Sequence, residues 1–152
     1  MEIRYKKLND SAVEPFKKHD VDAGFDLTAI WKEEGEKYIE YGTGIAFEIP
    51  AGYVGLMFPR SSVRDQDLTL KNCVGVVDSS YRGEIKFSFL GTKVKKYTRG
   101  KESHFSYDGD VYNVGERCGQ IVFMEIPFVR LVESEELSET ERGTAGYGSS
   151  GK

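Results

Sequence analysis

Apolar residues in this chain come in short runs or alternate with polar ones, and turn residues punctuate them. Glu2 to Leu8 alternates and predicts a strand, and Asp26 to Trp31 predicts a second. Lys37 to Tyr41 and Ile45 to Ile49 bracket Gly42-Thr43-Gly44, and Pro50-Ala51-Gly52 turns the chain into a strand over Tyr53 to Phe58. Val74 to Val77, Glu84 to Leu90, Val111 to Val114 and Gln120 to Val129 complete the series. Val, Ile, Phe and Tyr dominate these runs, as a half-buried pleated surface requires. The only helical signal is a turn or two at Ser61 to Asp67. Many short strands separated by turn signals predict an all-β sandwich or barrel. Lys93 to Asp110 is polar and irregular and reads as a long hairpin or surface loop. From Val132 the pattern stops. Glu133 to Arg142 is mostly acidic, and Gly143 to Lys152 is glycine and serine around one tyrosine. Such a segment cannot pack a core, and on composition alone it reads as a frayed terminus.

Length and charge narrow the classes. The 152 residues suit one domain and are too few for a two-domain cofactor enzyme. A net charge of −4 disfavours a nucleic-acid binder and leaves an anionic ligand dependent on local arginines or a metal. No run approaches the ~18 apolar residues of a membrane span. Met1 to Leu8 is charged and lacks a secretory pattern, so the expected location is cytoplasmic. Cys73 and Cys118 are then expected as reduced thiols filling the core. His19 and His104 are not at ligand spacing from each other or from either cysteine, which argues against zinc.

Five stretches carry possible chemistry. Asp22-Ala23-Gly24-Phe25-Asp26-Leu27 places a carboxylate at a strand start, where Asp and Gly are also ordinary turn residues. Phe58-Pro59-Arg60-Ser61-Ser62 opens the helical turn. It reads as a serine cap, or as an anion site of amides, hydroxyls and a guanidinium. Gly75-Val76-Val77-Asp78-Ser79-Ser80-Tyr81-Arg82-Gly83-Glu84 is the most informative. It is either a tight hairpin or a site where backbone reads a base, an aromatic packs on a sugar and a carboxylate takes a proton from water. Gly115-Glu116-Arg117-Cys118-Gly119-Gln120 is weak alone. Arg142-Gly143-Thr144-Ala145-Gly146-Tyr147-Gly148-Ser149-Ser150-Gly151 could act as a lid, with an arginine for phosphate and an aromatic face for a base. Gly146 to Lys152 also matches the start of a phosphate-loop pattern, but no strand precedes it and no helix can follow.

In this order the five stretches resemble the motifs of the trimeric dUTPases, from Ala23 to Gly151. The resemblance implies a jelly-roll-like β-barrel over 1–132 and a flexible arm over 133–152 that closes a neighbour's site. It implies a homotrimer, with no nucleic-acid or membrane partner, that hydrolyses dUTP to dUMP and pyrophosphate with Mg2+. That reaction limits uracil in DNA and supplies dUMP for dTMP synthesis. Asp78 would deprotonate the attacking water, with Gln120 and Arg60 as its catalytic partners. Ser61 and Ser62 would join Arg60 in clamping phosphate. Asn72, Gly75, Val76 and Val77 would read uracil, and Tyr81 would lie under the deoxyribose. Glu84 and Lys86 complete the substrate set. Asp26 would hold Mg2+ through water. Arg142 would grip the γ-phosphate, Tyr147 would stack on uracil, and Gly148 and Ser149 would close over it. Tyr147 stands where the family usually has Phe, Ala145 replaces a common Gly, and Cys118-Gly119 replaces a more apolar pair. Two alternatives follow: a dCTP deaminase of the same fold, and a non-catalytic nucleotide-gated regulator. Ile85 to Leu90 lacks the glutamate the deaminase needs, and a regulator would be free to lose Asp78.

Overall fold

Alternation sorts the side chains of each strand onto two faces. Along Lys86–Gly91, Phe87 and Phe89 are fully buried while Lys86 and Leu90 face outward. The computed structural model describes residues 1–91, 94–99 and 102–146. Its strands are β1 (Arg4–Lys7), β2 (Phe25–Thr28), β3 (Trp31–Glu34), β4 (Ile39–Gly42), β5 (Ile45–Glu48) and β6 (Tyr53–Phe58). A 3-10 turn over Ser61–Asp65 follows. Then come β7 (Leu68–Leu70), β8 (Gly75–Val77), β9 (Lys86–Gly91), β10 (Val94–Arg99), β11 (Glu102–Tyr107) and β12 (Arg117–Glu125).

Two four-stranded antiparallel sheets carry the core, ordered β2-β12-β6-β8 and β3-β4-β9-β7. β1 pairs with β5, and β10 with β11. One apolar cluster joins both sheets. Leu27, Met57, Val77 and Ile121 come from the first, and Ile39, Tyr41, Leu70, Phe87 and Phe89 from the second. Each fully buried side chain of this size contributes roughly 1.5–3 kcal/mol. The all-β, jelly-roll-like expectation holds, with the two sheets open at their edges rather than closed into a ring.

Four local readings change. The run Asp26 to Trp31 is not one strand. β2 ends at Thr28, and the chain crosses to the other sheet at Ala29 and Ile30, whose amides bond Glu116 O and Gly42 O at 2.9 and 2.8 Å. Val111 to Val114 forms no strand, because Glu116 folds back to accept the Asn113 amide at 2.6 Å. β12 begins at Arg117 and stops at Glu125, short of Val129; Pro127 has no amide to donate. Cys118 is fully buried, and burial pushes its thiol up to about 12, but Cys73 is exposed and fills no core. It occupies a turn at φ 59°.

Core aromatics also fix the approach to the candidate site. Tyr41, Phe89 and Tyr112 meet with centroids 5.8–6.2 Å apart. The buried Tyr41 hydroxyl donates to Tyr112 O at 3.0 Å, and burial raises its pKa. Tyr112 is thereby held with its own hydroxyl 3.1 Å from Ser62 Oγ.

Candidate active site

Strand register brings three of the five stretches onto one rung. Gln120 on β12 lies opposite Asp26 on β2 and opposite Phe58 on β6. Its side-chain amide donates to Pro59 O at 2.9 Å. Gly24 makes room for that pose, since a Cβ there would stand 2.4 Å from Gln120 Oε1. Gly24→Ala must therefore push the flexible glutamine tip away while leaving the core intact. The expected result is an unchanged melting temperature and kcat/KM lower by ~10- to 100-fold, as misplaced catalytic groups produce.

Asp26 holds two arginines. Its Oδ1 lies 2.9 Å from Arg60 Nε, and its Oδ2 lies 3.0 Å from Arg117 Nη1. The Arg60 contact is an ion pair rather than an aligned hydrogen bond, which leaves the buried Nε–H without an acceptor among the described residues. Arg60 Nη1 donates to Ser62 Oγ at 3.2 Å and to Arg117 O at 3.3 Å. The N-cap of the 3-10 turn is Arg60, and no side chain caps it, so the serine-cap reading does not hold. Ser62 instead links Arg60 to Tyr112, and Ser61 is exposed beside it. A cavity of about 340 Å³ opens here, lined by Arg60, Ser62, Gln66, Tyr112, Glu116 and Arg117 among others. Two guanidiniums against Asp26, with hydroxyls and an orphaned donor, suit an anion.

The third stretch forms a separate groove of about 330 Å³. β8 is an edge strand, so Gly75 to Val77 present one row of backbone donors and acceptors without a strand partner. Asn72, Asp78, Tyr81, Glu84 and Lys86 line the same groove. The exposed Asp78 carboxylate makes no bond with any described residue of its own chain. The turn behind it is braced: Tyr81 N donates to Asp78 O at 3.0 Å, and Arg82 Nη1 donates to Ser79 O at 2.6 Å. Tyr81 folds back with its hydroxyl donating to Glu84 O at 3.1 Å, and only a glycine at 83 leaves space for the phenol.

Two members of the predicted substrate set are otherwise engaged. Glu84 Oε1 accepts from Trp31 Nε1 at 3.0 Å and from Gly44 N at 2.7 Å, so this carboxylate braces the groove wall. Lys86 pairs with Glu40 at 3.3 Å, which raises its pKa, and lies over the Trp31 ring. Arg142 is exposed and, among the described residues, bonds only locally, to Ala145 O at 3.0 Å. Tyr147, Gly148 and Ser149 lie outside the described residues. Sequence reasoning missed Tyr112, Gln66 and Trp31. Tyr112 sat in a run read as a strand, and no local signal marks the others.

The two site halves do not meet within one chain. β8 runs antiparallel to β6, with Gly75 opposite Met57 and Val77 opposite Gly55. Asp78 therefore leaves the ladder near the start of β6, while Arg60 follows its end. At ~3.3 Å per residue the two are separated by roughly 15–20 Å along the strand.

For a metal, Asp26 is the relevant carboxylate. No cluster of three or more His, Cys, Asp or Glu side chains able to hold one exists among the described residues. Mg2+ on a triphosphate takes most ligands from phosphate and water, and a carboxylate pair of oxygens has about four acceptor sites. The two arginines occupy only part of that capacity, so Asp26 fits a partner bound through water.

Comparison with known proteins identifies the family. The dUTPase family model matches residues 10–151. A deoxyuridine 5'-triphosphate nucleotidohydrolase of Nautilia profundicola is 37% identical, covering 100% of both chains. One of Corynebacterium diphtheriae is 35% identical over 98% of this chain and 92% of its own. Among solved structures, a Staphylococcus bacteriophage 80alpha dUTPase with dUpNHpp aligns over 99% of both chains, at a TM-score of 0.81 and 28% identity. With a family match over nearly its whole length and relatives of the same name at 35–37% identity, this chain belongs to the dUTPase family.

Proposed function

We propose that this chain hydrolyses dUTP to dUMP and pyrophosphate at a site assembled from copies of itself, as a homotrimer. The observation that carries the reading is the split of the machinery along β6. Asp26, Arg60 and Gln120 gather at one end, and Asp78 and Tyr81 lie at the other. Two copies must face each other to bring the halves together, and the arm over 133–152 of a further copy would close the site.

In this reading the free edge of β8 and Asn72 take the uracil edge, and the braced Tyr81 ring walls off the deoxyribose. Asp78 accepts a proton from water as the water oxygen bonds to the α-phosphorus. The bond from that phosphorus to the bridging oxygen breaks, and pyrophosphate leaves. Gln120 orients the α-phosphate or the water. Arg60, Ser61 and Ser62 hold the phosphates, and Arg142, Tyr147, Gly148 and Ser149 cover them. Glu84 and Lys86 act through the groove wall. Mg2+, held by Asp26 through water, would offset triphosphate charge when bound. The role of dUMP as a dTMP precursor and a cytoplasmic location complete the proposal. Among the described residues no helix is long and apolar enough to cross a membrane.

A deaminase reading is not favoured: β9 spends its inward positions on Phe87 and Phe89 and carries no glutamate. The test is pyrophosphate release from dUTP beside dCTP, dTTP and UTP, with and without Mg2+. Release from dUTP alone, dependent on Mg2+, is expected. Ammonia from dCTP with no pyrophosphate from dUTP would overturn the reading.

A further inference from the structure

The hairpin of β10 and β11 is the most basic segment of an acidic chain. Between positions 93 and 102, Lys93, Lys95, Lys96, Arg99 and Lys101 stand against Glu102 alone. Every residue of β10 is exposed. Lys95 pairs with Asp108, Lys96 lies over the Phe105 ring, and Tyr97 stacks on His104 at 5.4 Å. At its base the hairpin is anchored by the Tyr107 hydroxyl, which donates to Gly35 O at 2.8 Å. Just beyond it, Asp67 N donates to Asp110 O at 2.7 Å, and Asp110 N donates to Asp67 Oδ2 at 3.0 Å. That pair ties the hairpin's exit to the segment after the Ser61–Asp65 turn. The base of the hairpin is therefore tied to the segment that follows the arginine end of the site.

The opposite charge lies in the arm. Glu133, Glu135, Glu136, Glu139 and Glu141 follow one another with no cation between them. All are exposed, and none makes an ion pair with a described residue of its own chain. The chain leaves the fold after Ile126, whose amide donates to Gly52 O at 2.8 Å just before β6 begins at Tyr53. That is the end of β6 remote from Arg60 and from the hairpin's base.

We propose that the acidic stretch 133–141 of one copy docks on the basic β10–β11 hairpin of a neighbouring copy. The inference rests on the reading that the arm crosses between copies. Its occupant is fixed by charge complementarity. Its consequence is positional: Arg142 follows Glu141 directly, so docking delivers Arg142 to the arginine end of the neighbour's site. An arm held nearby closes at a higher effective concentration than a free one. Attraction between exposed charges is screened within about 8–10 Å at moderate salt, so the effect fades as salt rises.

Three full-length variants test this: K96E/R99E, E135K/E136K, and the four substitutions combined. At low salt each pair is expected to raise KM for dUTP about 5- to 10-fold. The combination is expected to return KM close to that of the parent, and 0.5 M salt to erase the differences. A combined variant carrying both defects multiplied would overturn the docking. So would pairs that leave KM unchanged. Retention of a single-stranded oligodeoxynucleotide that K96E/R99E abolishes, with KM unmoved, would assign the hairpin to nucleic acid instead. Truncation after Glu141 separates the two layers. If truncation costs activity while the combination fails to rescue, the arm reading stands and the docking falls. If truncation costs nothing, both fall.

Discussion

Asp78→Asn yields a folded protein that still binds dUTP and turns it over at least ~100-fold more slowly, the usual cost of losing a general base. The structural cost is small because Asp78 is exposed and bonds no described residue of its own chain. Surface replacements of this kind stay within about 0.5 kcal/mol. The turn that carries the side chain is braced through backbone groups and Arg82, none of which the substitution touches. Asparagine keeps the shape and removes the proton acceptor, so kcat falls while the affinity for dUTP is kept. Titration with dUTP and single-turnover kinetics check both halves. Unchanged turnover would remove Asp78 from the mechanism.

Deleting Arg142 to Lys152 leaves a folded oligomer and removes most activity, by about 100-fold in kcat/KM for a lost closing element with its phosphate-binding arginine. Residues 142–146 are exposed and, among the described residues, make only local bonds, such as Gly143 N to Thr140 O at 3.0 Å. The core ends with β12. Melting temperature should therefore stay within ~2 °C of the parent, as expected when little buried surface is lost. Activity and thermal melting measured side by side decide the matter. Loss of folding would show that the arm is a structural element, and full activity would show that it is not a lid.

Much of this was legible in the sequence, for reasons that differ by element. β6 has the bounds that alternation predicts, because Pro50-Ala51-Gly52 and Pro59 punctuate it on both sides. The polar stretch Lys93 to Asp110 contains the β10–β11 hairpin, one of the two forms expected there. Local patterns could not show that Asp26 to Trp31 serves two sheets, since the crossing at Ala29 and Ile30 depends on partners more than ten residues away. Nor could they show that Glu84 is held by Trp31 and Gly44. The rung that unites Asp26, Gln120 and Phe58 is likewise a product of non-local pairing. The same pairing carries Asp78 away from Arg60, which no spacing in the chain reveals.

In the proposed assembly, Asp78 and Gln120 serve one site only when they come from different copies. Mixing two impaired variants, Asp78→Asn and Gln120→Ala, in one oligomer decides it. Co-expressed or co-refolded at equal amounts, they should recover about a quarter of parental dUTP hydrolysis, because in a symmetric assembly that fraction of sites draws both intact groups. Mixed oligomers no more active than the separate variants would contradict a shared site and place both residues in a single chain's machinery.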